Sequence, residues 1–273
     1  MEVPGGHLNK LSVLSSEFLG TCFIVIVFNW SSVTGHTAGC LGFCMMMMYQ
    51  IFGPISGGHF NPAVTIGMLI KEGTKNWMRN TTMAFMIIIF QFLGAALGCL
   101  ICFFAFDWEP SNSKTIPDIG YHVAQLCPSE GCNDSVFILR KLFFAEALAT
   151  FVYVCNIIMI KKNNGSGSVS INAFGIGISL FLALAMTQGI TGGCINPAIG
   201  LIQTIFQSMA NSMKFPNADH TSYSNMGVYI GGPLFGAWFA AFWHVFAHQD
   251  ALDYAKEIQD PEYEKLLAQG HYK

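Results

Sequence analysis

The chain has 273 residues, of which 52% are hydrophobic and only 11% are charged. A soluble domain usually carries about 25% charged residues, so this composition excludes an ordinary soluble protein. The formal net charge of −3 also excludes the strongly basic surface that is typical of nucleic-acid-binding proteins. The charged residues lie between long apolar runs, which is the pattern of an integral membrane protein.

Six apolar runs approach or exceed the length of about 20 residues that a helix needs to cross a membrane. They cover residues 11–32, 38–53, 82–106, 136–160, 169–190 and 226–246. Lys and Arg are more frequent on the side of these runs that carries both chain ends. The positive-inside rule therefore predicts a multi-pass protein, embedded in lipid, with both ends in the cytoplasm.

One tripeptide occurs twice, each time after a Gly-rich stretch and before a short apolar run. Proline suits the first turn of a helix, and asparagine before it is a good N-cap. The runs that follow, residues 62–70 and 197–208, are too short to cross a membrane and are tolerated there only when buried in protein or lining a cavity. We therefore predict two re-entrant half-helices, which begin at Asn61, Pro62 and Ala63 and at Asn196, Pro197 and Ala198.

The two tripeptides belong to an internal repeat. A Glu-x-x-x-Thr pattern opens each half, at Glu17 and at Glu146, and each half then reads span, span, half-helix, span. Because three spans is an odd number, the second half enters the membrane from the opposite face. Such an inverted repeat predicts a functional site at the midplane, between the halves.

The chain divides accordingly into a first repeat at 1–106, a connecting loop at 107–135, a second repeat at 136–247 and a polar tail at 248–273. The connecting loop contains Cys127 and Cys132. Their polar setting leaves two readings open, a short-loop disulfide and a metal-binding pair.

These residues together resemble the aquaporin (major intrinsic protein) family over nearly the whole chain. The similarity rests on both tripeptides, on Gln91 with Gly94 in the third span, and on the stretches SEFLGT, SGGHFNPAVTIG, AEALATF and GGPLFGA. The resemblance implies an all-α membrane protein of six tilted transmembrane helices plus two re-entrant half-helices. It also implies a homotetramer with one pore in each subunit.

A pore also follows from the physics of two opposed helix N-termini, which place partial positive charge at the membrane centre. The amides of Asn61 and Asn196 can donate hydrogen bonds to a neutral solute, while the positive field repels cations and protons. We expect the acceptors to be backbone carbonyls, those of Gly57, Gly58, His59, Gly192, Gly193 and Cys194.

Buried ionisable residues in a membrane span need partners. In the family, the pair equivalent to Glu17 and Glu146 hydrogen-bonds the backbone of the broken loops, and we favour this scaffold role over proton transfer. We expect His59 to support its loop rather than bind a metal. The spans contain no recognisable catalytic cluster and no metal-ligand spacing, so we expect no enzyme activity and no cofactor.

The chain departs from the family at the outer constriction. Most members carry arginine directly after the second tripeptide, whereas this chain has Ile199. The family spacing assigns the remaining constriction positions to Leu41, Leu184 and Gly193. We call these four residues the aliphatic ring. It offers no hydrogen-bond donor and no charge, and a hydrophobic constriction can close a pore by excluding water.

Two functions remain open at this stage. One is a channel for water or small neutral solutes such as glycerol, ammonia or peroxide, and the two complete tripeptides favour it. The other is a non-conducting structural subunit of a larger membrane assembly, which the aliphatic ring and the long loops favour.

Overall fold

The computed structural model describes residues 7–32, 36–73, 76–105, 136–162, 167–214 and 226–248. The connecting loop with Cys127 and Cys132, and the tail beyond residue 248, lie outside the described residues. Regular structure in the described part is helical. The helices are α1 (His7–Ser32), α2 (Thr37–Ser56), α3 (Pro62–Glu72), α4 (Trp77–Ala105), α5 (Val136–Lys162), α6 (Val169–Thr191), α7 (Pro197–Lys214) and α8 (Met226–Trp243), with a π-turn at His244–His248.

Six of these helices are long and apolar enough to cross a membrane: α1, α2, α4, α5, α6 and α8. Large apolar side chains on their outer faces, such as Phe43, Phe85 and Phe104, are more than half exposed and form the surface that meets lipid. The all-α, six-span, multi-pass architecture predicted from the sequence is therefore confirmed.

Helix ends differ from the predicted ones where polar residues extend a helix beyond its apolar run. The helix α4 begins at Trp77 rather than at Thr82, because the Thr82 hydroxyl donates to the Met78 carbonyl of the same helix at 2.8 Å. A side-chain hydrogen bond of this kind satisfies the hydroxyl without leaving the helix. The helix α7 continues to Lys214, beyond its apolar part Pro197–Phe206.

Both half-helices begin at the proline of their tripeptide. The side chain of Asn61 accepts the Ala63 N–H at 2.8 Å and so caps α3. At α7, the side chain of Asn196 accepts the Ala198 N–H at 3.0 Å. Each asparagine thus satisfies one of the backbone donors that a helix start leaves free, and each proline lacks the donor that would otherwise need a partner.

The two halves interlock through their half-helices. The helix α1 packs along α4, α5 packs along α8, and α2 packs against α6. The half-helix α3 contacts α8 of the other half, and α7 contacts α4. This exchange brings the N-termini of α3 and α7 together inside the bundle.

Close approach of the long helices depends on glycines, of which Gly94 and Gly236 make the tightest backbone contacts. A Cβ added to Gly94 in α4 would lie 2.2 Å from the Phe18 carbonyl oxygen of α1, and one on Gly236 in α8 would lie 2.1 Å from the Ala147 carbonyl oxygen of α5. Both contacts are with backbone, so they cannot be relieved by rotating a side chain. The two glycines therefore set how closely each helix pair can pack. The carbonyl groups that they contact belong to the residues directly after Glu17 and Glu146.

The loops before the half-helices are held by buried acidic side chains. The carboxyl group of Glu17 is fully buried and accepts the His59 N–H at 2.9 Å and the Phe60 N–H at 2.7 Å. The Ser56 hydroxyl donates to it at 2.7 Å and the Gln91 amide at 2.9 Å. Four donors from three segments therefore converge on one side chain of α1.

Glu146 occupies the equivalent place in the second half. It is fully buried and accepts the Cys194 N–H at 3.2 Å and the Ile195 N–H at 2.6 Å, and the Thr191 hydroxyl also donates to it. The Thr191 carbonyl in turn accepts the Tyr229 hydroxyl at 3.0 Å. These bonds tie the second loop to α5 and α8.

We predict that Gly94→Ala lowers the thermal midpoint of the purified protein in detergent, because overpacking against backbone costs about 1–3 kcal/mol. Gly39→Ala is the control, since a Cβ at Gly39 meets nothing within 4 Å. The midpoints would be measured from the loss of the monodisperse peak after heating. Equal midpoints for the two variants would contradict this account of the α1–α4 contact.

We predict that Glu17→Gln destabilises the protein strongly, because the new NH₂ group faces backbone donors that have lost an acceptor, at about 1–3 kcal/mol for each unsatisfied group. The control is Glu72→Gln, which removes the charge from a partly exposed ion pair with Lys71 at 3.4 Å. Surface pairs of this kind contribute roughly 0–1 kcal/mol. Thermal midpoints in detergent measure both, and a loss at Glu17 no larger than that at Glu72 would argue against the anchoring role.

Candidate functional site

The two asparagines connect the halves at the point where the half-helices meet. While each side-chain oxygen caps its own helix, the Asn61 Nδ2 donates to the Ile195 carbonyl at 2.9 Å and the Asn196 Nδ2 donates to the Phe60 carbonyl at 3.0 Å. The two bonds are related by the internal repeat. Each loop therefore receives a hydrogen bond from the asparagine of the opposite half.

Phe60 and Ile195, one residue before each asparagine, have left-handed backbones with φ of 49° and 41°. A non-glycine residue rarely adopts this region, and a β-branched one such as Ile195 does so at a cost of roughly 1–3 kcal/mol. Both residues are held on both sides, because a buried glutamate binds the N–H and the opposite asparagine binds the C=O. The sequence analysis missed them, and their only signal is the shared position before each asparagine.

Glycines turn the chain back into the protein after α2 and α6. Gly57, Gly58, Gly192 and Gly193 all have positive φ, between 61° and 89°. Gly57 and Gly192 are left-handed C-caps whose N–H groups bond back to the helices that they end. These residues shape the two loops so that each asparagine faces the loop of the opposite half.

A cavity of about 20 Å³ lies between the two asparagines and the helices around them. By the same measure a single water needs about 10–15 Å³, so the cavity has room for about one water at a time. Its walls are mostly apolar, with polar groups at the two asparagines, His59 and Tyr153. The lining residues are Ile24, Leu41, Met45, His59, Phe60, Asn61, Tyr153, Leu180, Leu184, Cys194, Ile195, Asn196 and Ile199.

Seven of the residues selected from the sequence line this cavity: Leu41, His59, Asn61, Leu184, Cys194, Asn196 and Ile199. The others lie behind it. Pro62, Ala63, Pro197 and Ala198 form the first turns of the half-helices, Gly57, Gly58, Gly192 and Gly193 form the loop turns, and Glu17 and Glu146 anchor the loops from outside.

The side chains of Leu41, Leu184 and Ile199 in the aliphatic ring line the cavity together with the asparagines. Leu41 and Leu184 are each 2% exposed and Ile199 is 4% exposed. Gly193 lies against this group, since a Cβ on it would stand 3.2 Å from Leu184 Cδ2. These side chains are therefore closely packed, and none of them is polar.

The His59 ring, which also lines the cavity, is 1% exposed, and its Nδ1 lies 3.2 Å from the Thr65 hydroxyl of α3. This contact ties the loop to its half-helix. Among the residues that the structure describes, no group of His, Cys, Asp and Glu has the arrangement of a metal site.

Tyr153 of α5 also lines the cavity and was missed in the sequence. It is 1% exposed. It follows Glu146 by seven residues, two helical turns, and so lies on the same face of α5. The seven-residue spacing from Glu146 is the sequence signal that could have identified Tyr153.

Comparison with known proteins agrees with the geometry. The model of the major intrinsic protein family matches residues 7–244. The glycerol uptake facilitator protein-like 6 of Lactiplantibacillus plantarum is 29% identical over 239 residues, which cover 83% of this chain and 94% of that protein. The glycerol uptake facilitator protein of Streptococcus pneumoniae is 27% identical over 240 residues, covering 83% of this chain and 95% of that protein.

The crystal structure of the aquaglyceroporin from Plasmodium falciparum has the same fold, with a TM-score of 0.71 over 89% of this chain and 99% of that one, at 18% identity. The family match spans both half-helices and all six membrane-crossing helices. This chain is an integral membrane protein that belongs to the major intrinsic protein family, a family of channels and not of enzymes.

Proposed function

We propose that the protein is a channel for water or small neutral solutes, glycerol, ammonia and peroxide among them. The observation that carries this proposal is the cavity at the meeting of two helix N-termini, lined by Asn61 and Asn196. The names of the two bacterial relatives, both glycerol uptake facilitators, support a small neutral solute.

The asparagines can serve a solute while they hold the loops. An asparagine amide carries two N–H donors. One donor on each side chain binds the opposite loop, which leaves the second for a solute oxygen in the cavity. The positive ends of α3 and α7 favour a solute that presents an oxygen and disfavour a cation or a hydronium ion at the same place.

The aliphatic ring sets the selectivity in this proposal. A solute that passes Leu41, Leu184 and Ile199 meets no donor or acceptor from these side chains and must give up hydrogen bonds to water. The penalty rises with the number of hydrogen bonds lost. We therefore propose that the ring slows strongly hydrated solutes relative to ones that bind water more weakly.

A second candidate function is a non-conducting structural subunit of a larger membrane assembly. The observation that favours it is the tight packing of the aliphatic ring, whose side chains are only 2% to 4% exposed. Together with a cavity that has room for about one water, this is the arrangement expected of a closed path.

For the oligomeric state, we propose a homotetramer in the lipid bilayer, by analogy with the family resemblance. The mass of the detergent-solubilised protein measured by light scattering tests it, with detergent subtracted. A mass of one subunit would contradict the tetramer.

We expect proteoliposomes of the native protein to shrink or swell faster than protein-free liposomes under a gradient of at least one solute among water, glycerol and ammonia. Stopped-flow light scattering measures the rates, and ammonia entry is read from an internal pH dye. Asn61→Leu with Asn196→Leu tests the midplane, because it removes both amides. Native rates equal to those of protein-free liposomes for all three solutes, with insertion verified, would favour the structural subunit.

We expect Ile199→Arg together with Leu184→His to raise water permeability about tenfold. One recovered hydrogen bond contributes about 1–3 kcal/mol to a barrier, and roughly 1.4 kcal/mol corresponds to a factor of ten in rate. The matched control is Ile199→Leu with Leu184→Ile, which conserves volume and adds no donor. If both double variants have the native water permeability and insert normally, the ring does not limit water.

A further inference from the structure

One face of α5 extends from the cavity to the loop that follows α2. Tyr153, Ile157 and Lys161 are spaced by four residues and so lie on one face of the helix. Tyr153 lines the cavity and Ile157 is 1% exposed. The last residue of the series, Lys161, is the one with a charge.

Lys161 lies beside the loop that carries His59. Its Nζ is 3.4 Å from the position that a Cβ on Gly57 would occupy, and the His59 Nε2 is 3.5 Å from the same position. Because the His59 side chain lines the cavity, the ammonium group lies near the part of the cavity that His59 lines. We call this part the inner mouth, and the Lys and Arg distribution predicts that it faces the cytoplasm.

The neighbouring charged groups that the structure describes do not form an ion pair with Lys161, so its positive charge can repel a cation. Its charge interacts with those of Glu17, Lys71 and Glu72, and also with the His59 ring. Glu17 is occupied by four donors, and Glu72 pairs with Lys71 at 3.4 Å. Within the described ranges, no carboxyl group forms an ion pair with Lys161.

We propose that Lys161 is the cation-repelling charge of this pore, placed at the inner mouth instead of at the outer constriction, where the chain has Ile199. The inference rests on the proposed channel function. A fixed positive charge beside a narrow, low-dielectric path raises the energy of any cation that approaches, while it leaves a neutral solute nearly unaffected. The positive ends of α3 and α7 form a second barrier deeper in the same path.

This arrangement differs from an arginine in the constriction in one respect. An arginine there both repels cations and donates hydrogen bonds to the solute. Lys161 separates the two tasks, because the cation barrier stands at the inner mouth and the aliphatic ring contributes neither charge nor donor. Charge selectivity and solute selectivity are then set at opposite ends of the path.

The test compares the ratio of potassium flux to neutral-solute flux in the same proteoliposomes. Potassium release is followed with an ion-selective electrode, and the neutral solute is whichever the native protein carries fastest. Lys161→Glu is expected to raise the ratio roughly tenfold or more, since it reverses the sign of the nearest charge. Lys161→Met should give an intermediate ratio and Lys161→Arg the native one.

The matched control is Lys71→Glu, which reverses a charge at the same end of the protein but on the lysine already paired with Glu72. It should raise the ratio much less than Lys161→Glu does, because Lys161 keeps its own charge. An equal rise for Lys71→Glu and Lys161→Glu would overturn the proposal, because the effect would then be a general surface potential. If Lys161→Glu blocks solute flux, Lys161→Met decides, and an unchanged ratio overturns the proposal.

The two hypotheses fail in different ways. If the native protein carries no neutral solute and Lys161→Glu releases no potassium, the channel function and the charge barrier are both wrong. If the native protein carries solute and no Lys161 variant changes the ratio, the channel function stands and the assignment of Lys161 is wrong.

Discussion

The site depends on the reciprocal hydrogen bonds between the asparagines and the opposite loops. Phe60 and Ile195 keep left-handed backbones only because a buried glutamate holds one side of each residue and an asparagine of the other half holds the opposite side. Without either contact, nothing would offset the cost of this backbone conformation, which is roughly 1–3 kcal/mol. The position of both asparagine amides therefore rests on Glu17 and Glu146, which are not among the residues that line the cavity.

The same bonds explain why a polar centre is stable inside such an apolar bundle. Backbone groups at membrane depth must be satisfied within the protein. Here the loop N–H groups go to Glu17 and Glu146, and the loop carbonyls go to Asn61 and Asn196. Each amide keeps a second donor, and both asparagines line the cavity. In the proposed channel, the same side chains therefore both hold the loops and donate hydrogen bonds to the solute.

The sequence predicts the parts of this structure that local chemistry determines. Six spans follow from apolar length, and the starts of α3 and α7 follow from the rules for proline and asparagine at a helix N-terminus, so they are found where expected. The left-handed backbones of Phe60 and Ile195 are imposed by contacts between halves, which no local pattern reveals.

Sequence patterns also do not identify Tyr153 and Lys161 as site residues, and the reason is related. In an apolar helix, one aromatic residue looks the same whether it faces lipid or a cavity, and a lysine at a helix end looks like an interfacial anchor. Only the packing of α5 against the first loop distinguishes these cases.

The exchange of half-helices has a consequence for how the protein is made. The half-helix α3 packs against α8, which is the last membrane-crossing helix in the described part of the chain. Until α8 has been synthesised, α3 lacks part of its packing surface. The asparagine that holds the Phe60 carbonyl, Asn196, is likewise made only with the second half. The first re-entrant loop can therefore complete its contacts only after the second half has been inserted.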